Sequence, residues 1–134
     1  MKLSKFIILV VDDFPAMRRI IANLLRELGF QNIVEAENGE RALHILNNQQ
    51  IDAVLSDWNM PIMDGLELLK HIRASDKLKN LPVMLVTAEG KRDNVVVAAQ
   101  AGADSYIVKP FNGQVLQTKI ATMLAKRGIV PEEE

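Results

Sequence analysis

The chain has 134 residues, 49% hydrophobic and 25% charged, enough for one domain with its own core. A net charge of −1 leaves no basic excess for a nucleic-acid backbone. With no cysteine in the chain, disulfides, thiol catalysis and thiolate metal sites are excluded.

The start, MKLSKFIILVVDD, places two lysines before an apolar run, as a signal peptide does. The run is short and ends on two acids, so residues 6–11 read as a buried strand instead. No later stretch is long enough to span a bilayer, and a cytoplasmic monomer without membrane insertion is expected. Residues 15–28 space Met17, Ile20, Ile21, Leu24, Leu25 and Leu28 as a helix does, with Pro15 in the first turn and Gly29 at the stop. A second strand follows at 33–36 and a second helix at 39–48. The third strand, IDAVLS (51–56), leads to Asp57, and a third helix spans 65–73. A fourth strand at 82–87, helix at 91–101, strand at 105–109 and helix at 113–127 complete the pattern, with Asn112 a plausible cap for the last. Three of the strands are apolar almost throughout, which predicts a parallel sheet covered on both faces. The domain is expected to end near residue 127, with a flexible acidic tail at 128–134.

In such a sheet, ligands bind beyond the carboxyl ends of the strands. Asp12 and Asp13 end the first strand, Asp57 the third, Thr87 the fourth and Lys109-Pro110 the fifth. Each has an ordinary use: Asp12 or Asp13 as a helix cap, Asp57 as a turn residue, Thr87 as a strand former, Lys109 as a surface cation. Glu35 and Glu37, at the end of the second strand, read as a polar edge. Together, however, three carboxylates on one patch are costly, since two of them about 4 Å apart repel by roughly 4 kcal/mol. A hard divalent ion relieves the cluster, and oxygen donors without His or Cys suit Mg²⁺. An ion, an ammonium and a spare carboxylate together fit phosphoryl transfer, with Asp57 as the nucleophile.

The segments VVDDFPAMRRI, SDWNMPIMDGLELL, PVMLVTAEGKRDN and AAQAGADSYIVKPF resemble the receiver domain of two-component response regulators, nearest the CheY-type single-domain chemotaxis regulators. The resemblance covers roughly residues 5–127 and implies an α/β, doubly wound, five-stranded sheet of order 2-1-3-4-5 with five helices. It implies that Asp57 accepts a phosphoryl group from a histidine kinase, and that Asp12, Asp13, Asp57 and the backbone carbonyl of Asn59 hold Mg²⁺. Lys109 and Thr87 would contact the phosphoryl group, the Lys109-Pro110 bond would be cis, and Tyr106 would follow Thr87 as the switch. The implied output face includes Lys91, Arg92, Val95, Tyr106 and Lys119. Its implied target is the flagellar motor switch, with a phosphatase as a further partner and no nucleic acid. A phosphorelay or scaffold role with a non-flagellar partner is the alternative. Trp58, next to Asp57, should report Mg²⁺ binding by its emission.

Gly90, Ser105 and Asn112-Gly113-Gln114 depart from the usual chemotaxis pattern and bear on the target rather than the chemistry. Two other uses of the architecture fit less well. A haloacid-dehalogenase phosphatase needs an acid where Asn59 stands, and an FMN-binding protein needs a phosphate loop where DDFPAM stands.

Overall fold

The computed structural model describes residues 2–88 and 92–130, with the backbone but not the side chain of Arg92. Gly90, Lys91 and the Arg92 side chain, singled out above, lie outside the described residues, as do Glu89 and residues 131–134 of the expected tail. After a 3-10 turn at Leu3–Lys5, the elements alternate without exception. They are β1 (Ile7–Val11), α1 (Pro15–Glu27), β2 (Asn32–Ala36), α2 (Gly39–Asn48), β3 (Ala53–Asp57) and α3 (Gly65–Ala74). β4 (Val83–Thr87), α4 (Arg92–Gln100), β5 (Ser105–Val108) and α5 (Gly113–Lys126) follow. Every strand pairing is parallel, and the order is β2-β1-β3-β4-β5, as the resemblance implied.

The unbroken apolar runs follow from two cores. Ile8, Val10, Ala53, Leu55, Met84, Val86 and Ile107 face one way, against Ile21 and Leu25 of α1 and Leu116, Ile120, Met123 and Leu124 of α5. Leu9, Val11, Val54, Val83 and Leu85 face the other, against α2 and α3 and Ala98 of α4. Successive strand residues point to opposite faces, so a sheet covered twice needs an apolar residue at every position. β3 starts at Ala53 rather than Ile51, because the Asp52 carboxylate turns back to accept the Ile7 N–H at 2.8 Å.

Helix starts are set by side chains that accept orphan N–H groups. Asn38 accepts from Arg41 N–H (2.7 Å), Asp64 from Glu67 N–H (2.8 Å) and Asn112 from Val115 N–H (2.9 Å). α4 has little buried face: Val95, Val96 and Val97 are 40–45% exposed, and Ala98 is buried. Ile20 of α1 is likewise exposed. At the end of α5, Ile129 packs against the core and donates its N–H to the Leu124 carbonyl at 3.0 Å. Among the described residues no helix is long and apolar enough to cross a membrane.

At the amino ends of β4 and β5, buried Asp104 accepts from three donors. They are Arg73 Nη2 (3.0 Å), Arg127 Nε (2.9 Å) and the Val83 N–H (3.0 Å). Arg73 also donates to the carbonyls of Gly102, Lys79 and Leu81. One carboxylate thereby ties α3, β4 and α5 together at the pole opposite the strand tips.

Candidate functional site

The chain leaves β1 toward β2 on one side and reaches β3 on the other, so a crevice opens between the carboxyl ends of β1 and β3. Asp12 follows β1 and Asp57 ends β3, and together with Asp13 they line this crevice. One carboxylate oxygen from each of the three lies within 4.8 Å of the others. Asp12 is fully buried, Asp57 buried and Asp13 exposed, so the cluster has a floor and an open lip.

Lys109, in the turn after β5, closes one side. Its Nζ lies 3.4 Å from Asp12 Oδ2 and 3.4 Å from Asp57 Oδ1. Its N–H donates to the Thr87 carbonyl at 2.7 Å, and the Lys109-Pro110 bond is cis, as the resemblance implied. Asp12 is fixed further by the Phe14 N–H, which donates to its Oδ1 at 2.9 Å. The helix-cap reading of this acid is therefore met only in part, since it serves the residue before α1, and Phe14 at the cap position offers no side-chain acceptor.

Burial raises the Asp57 carboxyl above its ordinary pKa, and the Asp12 and Asp13 carboxylates push the same way while Lys109 opposes them. An acid buried beside two others is held in its charged form at a cost, and a divalent cation removes that cost. Three carboxylate oxygens without nitrogen or sulfur donors are a hard-ion donor set, so the residues present could hold a divalent metal.

Around the cluster, Thr87 ends β4 and is buried, one residue past the Asp57–Val86 register pair. Asn59 is exposed in the loop after Asp57. Trp58 follows Asp57 directly and is half-buried. Its ring meets Tyr106 edge-on, with centroids 6.2 Å apart and planes at 88°. Tyr106 in turn lines a cavity of about 520 Å³ with Val95, Val108, Val115 and Lys119. Of the expected output face, the structure thus brings Val95, Tyr106 and Lys119 to one concavity, while Lys91 and the Arg92 side chain lie outside the described residues.

Gly65 holds the loop close. A Cβ there would collide with the Asp57 carbonyl oxygen, and the Gly65 N–H donates to the Trp58 carbonyl at 2.8 Å. Only glycine lets α3 start against the acid's own backbone. One feature of the site escaped the sequence reading: Arg18 reaches the Asp12 backbone and pairs with Glu35, which had read as a plain polar edge. Their separation of 17 residues leaves no local signal.

Comparison with known proteins agrees with this geometry. The family model described as the response regulator receiver domain matches residues 8–121. Chemotaxis protein CheY of Pseudomonas aeruginosa is 57% identical over 113 residues, 84% of this chain and 91% of that protein. CheY-3 of Vibrio cholerae is 55% identical, covering 84% of this chain and 87% of that protein. Among solved structures, V. cholerae CheY4 superposes with a TM-score of 0.82 at 29% identity, covering 89% of this chain and 98% of that one. The receiver domain of a histidine kinase from Syntrophus aciditrophicus superposes at 0.79 and 32%, covering 89% of both. With its strand order, its acidic crevice and a family match over most of its length, the chain belongs to the response regulator receiver domain family.

Proposed function

We propose that this chain is a phosphorylation-activated switch in chemotaxis, in which Asp57 accepts a phosphoryl group from a histidine kinase. The carrying observation is the convergence of Asp12, Asp13 and Asp57 within 4.8 Å, with Lys109 Nζ 3.4 Å from two of them. Asp12, Asp13, Asp57 and the Asn59 carbonyl would hold Mg²⁺, which when bound neutralises charge on the phosphoryl oxygens.

The remaining steps fall to the chain's own groups. Asp57, at the strand tip, attacks phosphorus in line, the phosphorus–nitrogen bond to the donor histidine breaks, and the imidazole leaves with a proton. Lys109 pairs with a phosphoryl oxygen and offsets its charge. The acyl phosphate adds acceptor oxygens at the ends of β3 and β4, which Thr87 meets with its hydroxyl. A hydrogen bond made only in that state favours one of two packings of Thr87 and Tyr106, and so reshapes the cavity between α4 and α5. That concavity, with its exposed valines and Lys119, is the output face, and the flagellar motor switch is the target that likeness to chemotaxis proteins supports.

The test is labelling of the full chain by acetyl phosphate and by a phosphorylated histidine kinase, in wild type and Asp57→Asn. Label should require Mg²⁺ and be lost in the variant. Retained label at the wild-type rate places the acceptor elsewhere. Binding of the beryllofluoride-treated chain to a motor-switch fragment, but not to a histidine phosphotransfer domain, distinguishes this output from a phosphorelay.

A further inference from the structure

Arg18, in the first turns of α1, reaches back across the ends of β1 and β2. Its Nη1 donates to the backbone carbonyl of Asp12 at 2.8 Å, and its Nε donates to Glu35 Oε1 at 3.0 Å. The Asp12 N–H donates to the Ala36 carbonyl at 3.1 Å, its Oδ1 accepts from Phe14, and its Oδ2 pairs with Lys109. Every polar group of Asp12 is thus engaged. Asp13 is the opposite case: it is exposed, and its side chain makes no hydrogen bond among the described residues. Where its carboxylate goes is therefore decided by the backbone of the turn from Asp12 to Phe14, and Arg18 grips that turn.

We propose that Arg18 is a positioning residue for the acidic pocket: by fastening the Asp12 carbonyl to Glu35, it holds the turn that aims Asp12 and Asp13 at the metal ion. The inference rests on the Mg²⁺ reading above. Charge alone makes the opposite prediction. A cation beside an anionic pocket repels Mg²⁺, so removing it should tighten binding. Removing an outer partner that orients the ligands weakens binding, typically by about 10–100-fold. Glu35 already matches the guanidinium at 3.0 Å, so the pair presents little net charge to the pocket and the positional effect prevails.

The experiment is a Mg²⁺ titration of the full chain, read by Trp58 emission and by the melting temperature in EDTA and in Mg²⁺. Arg18→Met keeps the aliphatic stem but loses the fork, and its dissociation constant should rise about tenfold. Arg18→Lys should recover only part of that, because an ammonium lacks the planar fork that serves two acceptors. The rise in melting temperature brought by Mg²⁺ should shrink in Arg18→Met. A purely structural brace would lower the melting temperature equally with and without metal and leave the dissociation constant alone. Unchanged or tighter Mg²⁺ binding in Arg18→Met overturns the proposal. If that variant does not fold, Arg18→Lys decides, and a dissociation constant equal to wild type is then the overturning result. A wild-type chain that shows no response to Mg²⁺ by either readout instead defeats the metal reading on which this one stands.

Discussion

Replacing Asp57 with asparagine should stabilise the metal-free fold, although it removes the proposed phosphoryl acceptor. Each carboxylate pair, at 4.8 Å or closer, repels by about 3.5 kcal/mol or more at an effective dielectric near 20. The ammonium at 3.4 Å attracts Asp57 by about 5 kcal/mol on the same scale. Two repulsions against one attraction leave Asp57 about 2 kcal/mol unfavourable before its burial is considered. For a chain of this length that corresponds to a gain of about 7 °C in melting temperature in EDTA. The pH dependence has a definite sign. Because the folded pKa is raised, the folded state holds the Asp57 proton more tightly than the unfolded one does. Stability present below the ordinary value of 3.8 is therefore lost as pH rises through the raised value. The gap between variant and wild type should be small near the ordinary value and largest above the raised one. Saturating Mg²⁺ should narrow the gap or reverse it, since wild type keeps the complete donor set. Thermal denaturation over a pH series, with EDTA or Mg²⁺, measures all of this. A variant that melts below wild type in EDTA, or a gap that ignores pH, would refute the reasoning.

Asp13→Ala should also raise the metal-free melting temperature, because that exposed acid has only repulsion to lose. Asp12→Ala should leave it at or below wild type, since stranding the Phe14 N–H costs about 1–3 kcal/mol and offsets the relief; the two melting curves in EDTA check the contrast. Asp104→Ala should cost about 3–5 kcal/mol in urea denaturation, because it leaves Arg73 half-buried without its counter-charge; a loss below about 1 kcal/mol would show the three-way contact to be superficial. Gly65→Ala should destabilise by about 1–3 kcal/mol and weaken Mg²⁺ binding together, since the new methyl drives α3 away from Asp57; weakened stability with unchanged Mg²⁺ affinity would break that link.

The strands could be read from the sequence because burial on both faces removes alternation: Ile8 and Leu9 are both fully buried, on opposite sides. The acidic site could be read because β1, β3 and β5 pass abruptly from apolar residues to Asp12, Asp57 and Lys109 at their carboxyl ends. What escaped notice depends on distant partners. Arg73 meets Asp104 across 31 residues and Arg127 meets it across 23, and nothing near any of the three announces the meeting. The Arg18–Glu35 pair escaped for the same reason. α4 is ambiguous for another reason: three consecutive valines look like core to a hydrophobicity pattern, whereas the resemblance put Val95 on an output face, and all three are 40–45% exposed. An apolar face that serves a partner and one that serves the core have the same signature in a single sequence.

The acidic crevice draws its acids from residues 12, 13 and 57 and its balancing cation from residue 109, so 97 positions separate Lys109 from the Asp12 it touches. On the ribosome, the two halves of the negative cluster emerge long before their counter-charge. A nascent chain that has not yet released β5 from the exit tunnel has carboxylates to crowd together and no ammonium to hold them. The last strand to be synthesised is therefore also the one that brings the cation which partly offsets the acidic cluster.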